Sequence, residues 1–516
     1  MSENREIELK LTGSSSELRR LQRHPLVQRL SQRRAVTRTL ETVYFDTPDD
    51  DLVGAGFALR VRREGARRVQ TVKGERAAAG GLFDRLEVEA PIDGDVPDLD
   101  CIPDPALAAR LREIVGGKRL VPVFGTSFRR TRRLLRRDDT EWTLDVDEGA
   151  ILVEDATAPI HEAELELRSG DPAQLFAFAL ALQQHFDVLP ATRSKAERGY
   201  DLARRRPIAP RSSRRVALQR DDSVETALGA VLSQCLGQFT SNAECASEGL
   251  DPEGVHQMRV GVRRARAALV AFRPVLPVES TRWLRAELRW LGRELGGARD
   301  LDVFTREILP PIEADLGSDP AFKRLREEAL ALRADCYAAV REALVSPRYA
   351  RLVLELGAWV AGCRWREQPL SEASARLFAP AHEFASELLE RRHRKIRRLG
   401  QRLAESDEAR HGLRIQLKRL RYTGEFFRGL YPRRRSGRYL RRVGRLQSAL
   451  GHLNDVVSAH GILENLLARL GEEHAPAHDR AAGFIEGWTS RVARGEQEDL
   501  GRLWHRLGEA RPFWRD

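Results

Sequence analysis

The stretch REIELKL, residues 5–11, puts a charge at every second position of an otherwise apolar strand. In an extended chain Glu6, Glu8 and Lys10 point one way and Ile7, Leu9 and Leu11 the other. A sheet with one face in water would account for one such strand. The pattern recurs, however. Arg60 and Arg62 alternate with Leu59 and Val61 in ALRVRR (58–63), Thr71 and Lys73 flank Val72 in VQTVKG (69–74), and Arg85, Glu87 and Glu89 alternate with Leu86 and Val88 in DRLEVEA (84–90). Asp145 and Asp147 do the same in WTLDVDEG (142–149), as do Glu162, Glu164 and Glu166 in EAELELRSG (162–170). These period-two segments read as strands. If they close into a barrel with the charges inside, acid-rich strands would hold divalent cations through oxygen ligands, and base-rich strands would hold the phosphates that bridge to them. Such an interior needs a partner for every charge, because an unpaired buried charge is very costly.

The bulk composition sets the frame. A chain of 516 residues is too long for one ordinary core, so two or three domains are expected. No apolar run approaches the roughly 20 residues of a membrane helix, and the charged N-terminus lacks the apolar core of a signal peptide. A cytoplasmic protein with no membrane partner is expected. The five cysteines, at 101, 235, 245, 336 and 363, show no CxxC spacing, which argues against a disulfide framework or a zinc site. Residues 1–204 carry 32 Lys and Arg against 35 Asp and Glu, a net of −3, so the whole-chain charge of +11 leaves +14 for the remainder. The C-terminal part alone is suited to a polyanion.

Helical periodicity interrupts the strands at about 14–34 and 171–186, and RRRPIAPRSSRR (204–215) has the composition of a linker. From residue 217 onward the period is 3.6 throughout, with no convincing strand. This half also repeats itself. VHQMRVGVRRAR (255–266) matches RHGLRIQLKRLR (410–421), and LRWLGRELGGARDLDVF (288–304) matches VGRLQSALGHLNDVVSA (443–459). His256 and His411, Arg259 and Arg414, Arg264 and Arg419, Arg266 and Arg421, Gly296 and Gly451, and Asp300 and Asp455 are all 155 apart.

On a helix, His256, Arg259, Arg263 and Arg266 fall within about 80° of one another, beside an apolar stripe of Met258, Val262, Ala265 and Leu269. His411, Arg414, Lys418 and Arg421 repeat the arrangement. A cationic face with few i,i+4 acids, present twice, suits a long anionic ligand better than it suits solubility. Arginine grips phosphate oxygens in bidentate fashion, lysine adds point charge, and histidine can charge on binding phosphate. Asp300 and Asp302, with Asn454 and Asp455 in the second copy, read either as orienting partners of these bases or as helix caps. Aromatic platforms and reader motifs for nucleic acid are missing, which leaves nucleic acid as a competing polyanion only.

The duplicated helices VHQMRVGVRRARAAL and HGLRIQLKRLRY, each followed by a Gly-containing Asp segment, resemble the CHAD domain over about 217–510. That resemblance implies binding of inorganic polyphosphate by the basic surface, through His256, Arg259, Arg263, Arg264 and Arg266 and through His411, Arg414, Lys418, Arg419 and Arg421. It does not imply catalysis by this half. The first half resembles the CYTH domain of the triphosphate tunnel metalloenzymes over about 3–203. The resemblance is carried by the ExExK string Glu6-Ile7-Glu8-Leu9-Lys10, by LRVRR, QTVKG, LDVDEG and ELEL in order, and by SKAERGY (194–200).

What that second resemblance implies is specific. Glu6, Glu8, Glu164 and Glu166, with Asp145, would ligate a divalent ion, Mg²⁺ or Mn²⁺, and Asp145 and Asp147 would hold a second ion or position water. Lys10, Arg60, Arg62, Lys73 and Lys195 would grip the triphosphate, together with Arg130 and Arg132 of TSFRRTRRLL. Arg198 would contact substrate or close the tunnel with a salt bridge. Glu6, Glu8, Lys10, Asp145 and Asp147 form the expected catalytic set.

The expected fold is therefore α+β in two domains. An antiparallel β-barrel with flanking helices occupies 1–204, a linker 205–216, and an all-α duplicated bundle 217–513, with repeats at about 217–370 and 371–513. The architecture resembles bacterial inorganic triphosphatases, which implies metal-dependent hydrolysis of inorganic triphosphate to pyrophosphate and phosphate, coupled to polyphosphate binding and to association with polyphosphate granules. A non-catalytic polyphosphate scaffold stays open as an alternative. So does a triphosphatase acting on thiamine triphosphate, a nucleotide or an RNA 5′-triphosphate.

Overall fold

A computed structural model describes residues 4–65, 67–74, 79–402 and 406–515. The chain divides into two compact units, Met1–Arg211 with Val345–Arg364, and Ser212–Leu344 with Trp365–Asp516. The first unit is built on strands β1 (Arg5–Thr12), β2 (Val36–Asp46), β3 (Phe57–Glu64), β4 (Arg67–Gly74), β5 (Leu82–Ile92), β6 (Val121–Arg137), β7 (Thr140–Val153), β8 (Ala156–Ser169) and β9 (Leu189–Pro190). The strand order is β5-β4-β3-β2-β6-β7-β8-β1-β9, and a further pairing of β1 with β5 closes it. The eight long strands form an antiparallel barrel, and β9 adds a short pairing beside β1.

The opening strand has no solvated face. Ile7, Leu9 and Leu11 are 6%, 0% and 0% exposed, and Glu6, Glu8 and Lys10 are 8%, 2% and 2% exposed. The apolar set joins a core with Leu18, Leu21, Phe176, Phe178 and Leu182, contributed by helices Ser15–Leu21 and Ala173–Gln183. A second cluster covers Leu59 of β3, Val72 of β4 and Val88 of β5 with Leu107, Leu111 and Val115 of helix Pro105–Val115. The barrel is thus apolar outside, beneath helices, and charged inside. Burial of each large apolar side chain contributes about 1.5–3 kcal/mol, and a one-residue slip in register would forfeit it by turning the charges outward.

Several expectations shift in detail. The helical stretch at 14–34 is two helices, Ser15–Leu21 and Pro25–Leu30, because Pro25 begins a new helix capped by the His24 side chain. β2 pairs with β6 along Val36–Asp46, a strand that no alternation of charge marks: its first four residues are exposed, and its signal lies in its Val, Thr, Tyr and Phe content and in the alternating burial of Leu40, Thr42 and Tyr44. Helix Pro347–Ala361, expected within the helical domain, belongs to the first unit. Its Leu354 and Ala358 complete the core around Phe176, and a Cβ on Gly357 would lie 2.2 Å from the Phe176 ring. The helix docks there because glycine lets it come that close.

The second unit is helical. Among its described residues the only β feature is an isolated bridge between Ser223 and Pro380. The duplication is visible in the backbone: helices Pro252–Ala271 and Asp407–Phe427 begin 155 residues apart, as do Val278–Val303 and Arg433–Leu470.

One polar anchor sets the position of SKAERGY. The fully buried Asp46 accepts backbone N–H bonds from Thr47, Leu52 and Val53 and the Tyr200 hydroxyl at 2.9 Å. Helix Lys195–Ala203 is thereby tied to the end of β2, and Gly199 lets it lie on Phe124, where a Cβ would come within 2.1 Å of the ring. Phe124 cannot yield, since it stacks on Tyr44 at 4.4 Å. Replacing Gly199 by Ala is therefore expected to destabilise the protein by about 1–3 kcal/mol, the usual cost of overpacking. Urea unfolding of the two proteins measures it, and an unchanged midpoint would show that the helix is not seated as described.

Candidate functional site

The barrel register assembles the charges into one network. Opposite Glu8 stands Glu166, opposite Lys10 stands Glu164, and opposite Glu6 stands Arg85. Asp145 pairs across to Glu164 on one side and Arg132 on the other, and Asp147 to Glu162 and Arg130. Neighbouring strands β1, β7 and β8 thereby present most of the acids. β3, β4 and β6 present Arg60, Arg62, Lys73, Arg130 and Arg132. Alternation decides which arginines of 129–133 turn inward: Arg130 and Arg132 reach the acids, whereas Arg129 lies outside on Glu148.

Most of the inner cations serve several carboxylates. Lys195 Nζ lies 2.7 Å from Glu162 and 2.8 Å from both Glu164 and Asp147. Lys10 Nζ is 2.9 Å from Glu164 and 3.6 Å from Glu8 and Glu162. Arg130 contacts Asp147 and Glu164 at 2.6 Å and Asp145 at 2.9 Å, and Arg132 donates to Asp145 at 2.5 Å. Lys73 lies 2.8 Å from Glu6 and 2.9 Å from Glu87, and Arg60 3.6 Å from Glu87. Arg198 donates to Glu162 at 2.7 Å and to the Pro159 carbonyl at 2.5 Å, so in this state it is a salt bridge.

Arg85 was not among the expected site residues, yet it is central. It donates to Glu6 at 2.7 Å and to Glu8 at 2.5 Å, binding together the two acids of the ExExK string. Glu87 and Glu162 join the network in the same way. The signal was present, since all three stand on the charged face of period-two strands.

The electrostatics follow from desolvation set against this pairing. Burial pushes the carboxyl of Glu6 up, and Lys73 with Arg85 outweighs it, leaving it below the usual range. Glu164 is likewise driven up by burial and held well below its ordinary value by Lys10, Lys195 and Arg130. Burial lowers Lys195, but Asp147, Glu162 and Glu164 hold it well above the ordinary lysine range. Two groups show local imbalance. Arg62 is depressed by neighbouring Arg60, by burial and by Arg130. Glu166 is pushed up to about 7, by burial first and, against the pull of Arg168, by Glu6, Glu87 and Asp145. The barrel thus has one region crowded with positive charge and another crowded with negative charge.

The acids are all oxygen donors, the chemistry a hard divalent cation prefers. The crowding at Glu166 is of the kind such a cation would relieve. As they stand, no three acidic, histidine or cysteine side chains among the described residues are grouped to hold an ion; lysines and arginines occupy the places among the carboxylates instead.

In the second unit the stripe His256, Arg259, Arg263, Arg266 is partly exposed on one helix. Arg259 donates to the Gly296 carbonyl at 3.2 Å and to Asp300 at 3.3 Å, joining the two helices of the first repeat. Burial lowers the His256 imidazole, and Arg299, Arg263 and Arg259 lower it further against Glu253, which favours its neutral form. Asp302 does not face the stripe. It is buried and accepts from Arg333 at 2.7 Å and Tyr337 at 2.8 Å. Arg264 also departs from the expected anion-binding set: it is 5% exposed, and its guanidinium donates to Glu425 at 3.1 Å and Gln234 at 3.0 Å. Its position, about 100° from its neighbour Arg263, turns it into the bundle. Arg421 shares the same Glu425 at 2.8 Å. His411 and Arg419 are exposed, and Arg414 and Lys418 half-buried. The side chains of Asn454 and Asp455 lie outside the described residues.

Glu166 makes a pH dependence measurable. Its folded pKa of about 7 exceeds the ordinary carboxylate value, so between about pH 4.5 and 7 the folded state binds more protons than the unfolded state and stability falls as pH rises. Glu6 and Glu164 act in the opposite sense: their stabilisation is present above the unfolded pKa and is lost only in more acidic solution. In chelator-treated protein, urea unfolding at pH 5, 6 and 7 is expected to show a decline of about 2 kcal/mol from Glu166, absent in Glu166→Gln. Parallel pH profiles for the two proteins would contradict this environment for Glu166.

Comparisons with known proteins place both units. The CYTH domain family matches residues 4–200 and the CHAD domain family residues 230–464. An inorganic triphosphatase of Haemophilus influenzae is 32% identical over 167 residues, which is 31% of this chain and 45% of that protein. The chain thus spans less than half the length of that relative. An uncharacterized protein of Mycobacterium tuberculosis is 26% identical over 415 residues, 75% of each chain. Among solved structures, the CHAD domain from the plant Ricinus communis is 33% identical, with a TM-score of 0.51, covering 59% of this chain and 98% of that one. The chain belongs to the proteins in which a CYTH domain is followed by a CHAD domain.

Proposed function

We propose that the barrel hydrolyses inorganic triphosphate to pyrophosphate and phosphate with the help of a divalent ion, Mg²⁺ or Mn²⁺, and that the helical unit binds inorganic polyphosphate. The observation that carries the first part is the barrel interior, in which a wall of carboxylates and a wall of lysines and arginines neutralise each other. A wholly anionic ligand could replace the carboxylates as partner of the cations, but the displaced acids would then be buried unpaired. A triphosphate arriving with divalent cations supplies both signs at once, and both walls stay neutralised.

In this reading Lys10, Lys73, Lys195, Arg60, Arg62 and Arg130 turn from carboxylate to phosphate oxygens and hold the chain extended for in-line attack. Glu6, Glu8, Glu164 and Glu166, with Asp145, are the residues that would hold the ion. When bound, it would neutralise charge on the phosphates and polarise the phosphorus under attack. Asp147, with Asp145, accepts hydrogen bonds from the attacking water once Arg130 and Lys195 engage phosphate. Arg132, half-exposed on Asp145, meets the ligand at its edge.

Support for the second part comes from the two cationic helix faces and from the similarity to a CHAD domain of known structure. Tethering to polyphosphate would raise the local concentration of short phosphate chains around the barrel.

Two measurements test these roles separately. Phosphate release from inorganic triphosphate is expected to need Mg²⁺ or Mn²⁺ and to fall by at least about 100-fold in Glu6→Gln with Glu8→Gln, the scale of losing preorganised charge in a reaction site. No release by the folded native protein with either ion would remove the hydrolase reading. Arg259→Glu with Arg414→Glu is expected to abolish retention on immobilised polyphosphate while triphosphate turnover stays within about twofold of native. Equal loss of both properties would contradict two separately acting units.

A further inference from the structure

The two repeats of the helical unit share a backbone plan but differ in side chains. Leu440, Gly444 and Ser448 stand 155 residues after Arg285, Arg289 and Arg293. In the first repeat those three arginines surround Arg266, whose guanidinium is held below its usual range by burial and then by Arg289, Arg285 and Arg293. In the second repeat these shorter, uncharged side chains leave a cavity of about 770 Å³ beside Arg421, between helices Asp407–Phe427, Arg433–Leu470 and Pro476–Gly508.

Positive charge has moved rather than vanished. Arg441 and Arg445 sit one residue beyond Leu440 and Gly444, about 100° around the helix, and Arg428 joins them from the preceding helix end. Arg441 and Arg428 converge over Gly437: a Cβ there would be 3.4 Å from Arg441 Nη1 and 3.9 Å from Arg428 Nη2. Among the described residues no carboxylate lies within 4.0 Å of either guanidinium, whereas neighbouring Arg421 is paired with Glu425. Arg428 is lowered by burial and by Arg215, with Glu425 opposing and Arg433 and Arg441 adding to the effect, as expected where like charges gather.

We propose that this cavity is a site for a nucleoside diphosphate, distinct from the phosphate-only stripe of the first repeat and independent of the hydrolase reading of the barrel. Arg428 and Arg441 would take the phosphate oxygens, since two convergent guanidiniums match adjacent phosphates. A chain of phosphates alone would leave the apolar floor of Leu440, Ala449 and Leu503 uncovered. A base would cover that floor and lie against the Arg445 guanidinium. Asp499, also lining the cavity, repels a further phosphate but accepts from a ribose hydroxyl or an exocyclic amine. The volume lies within the roughly 300–1,000 Å³ range of small-ligand sites.

The test is calorimetric titration of ADP and of pyrophosphate into the full chain in EDTA, with three variants. Gly444→Arg restores the side chain of the first repeat at a position where nothing lies within 4 Å of a Cβ, so it fills the cavity without straining the helix. Arg441→Gln removes a phosphate contact at an exposed position, and Arg60→Gln alters only the barrel. ADP is expected to bind at least about tenfold more tightly than pyrophosphate, to lose at least about tenfold in affinity in both Gly444→Arg and Arg441→Gln, and to be unaffected by Arg60→Gln. Circular dichroism confirms that each variant is folded. Equal affinity for pyrophosphate, no ADP binding at millimolar concentration, or loss confined to Arg60→Gln would each overturn the proposal.

Discussion

Buried charge is the constraint on which the first unit depends. Lysine and carboxylate groups a few per cent exposed cannot stand alone in a protein interior, and Lys10, Lys73, Lys195 and Arg130 are each shared by two or three acids on different strands, while Arg85 joins Glu6 to Glu8. That sharing ties β1, β5, β7 and β8 together from within and inverts the usual barrel. The apolar residues must then find cover on the outer surface, which explains why helices surround the strands. It also leaves the interior polar enough to exchange internal partners for ligand.

Much of this was legible because a period of two shows itself on both faces at once. The alternation of charge in β1, β3, β4, β7 and β8 marks the strands, and the same alternation separates Arg130 and Arg132 from Arg129. Arg85 was hidden in plain view, because in DRLEVEA the acids dominate the reading and a single base looks like a surface residue. β2 escaped for a different reason: its first four residues are exposed on both faces, so burial imposes no pattern there, and the rest is marked by β-branched and aromatic content rather than by alternating charge. Helix Pro347–Ala361 is visibly amphipathic, but an apolar stripe states that a partner exists without saying which one.

The helical unit shows the limits of reading a repeat. The offset of 155 residues locates equivalent helices, and their starts coincide in the structure. Equivalence of position does not carry equivalence of contact. Arg264 and Arg419 match in register, yet one is buried on Glu425 and the other is exposed. Glu425 itself has Val270 as its counterpart, so the acid that joins Arg264 to Arg421 exists in one copy only. Once duplicated, the copies were free to share one backbone and divide their electrostatic work.

The helix that closes the outer core around Phe176 has a temporal consequence. Covalent order and physical module do not coincide here: the chain leaves the first unit after Arg211, returns for Val345–Arg364, and leaves again. During synthesis the barrel's strands are all available by residue 190, but the surface that awaits Leu354 and Ala358 stays uncovered until more than 150 further residues have emerged. At typical elongation speeds of roughly 5–20 residues per second, that is an interval of about ten seconds or more, during which a nascent barrel exposes apolar surface to the cell.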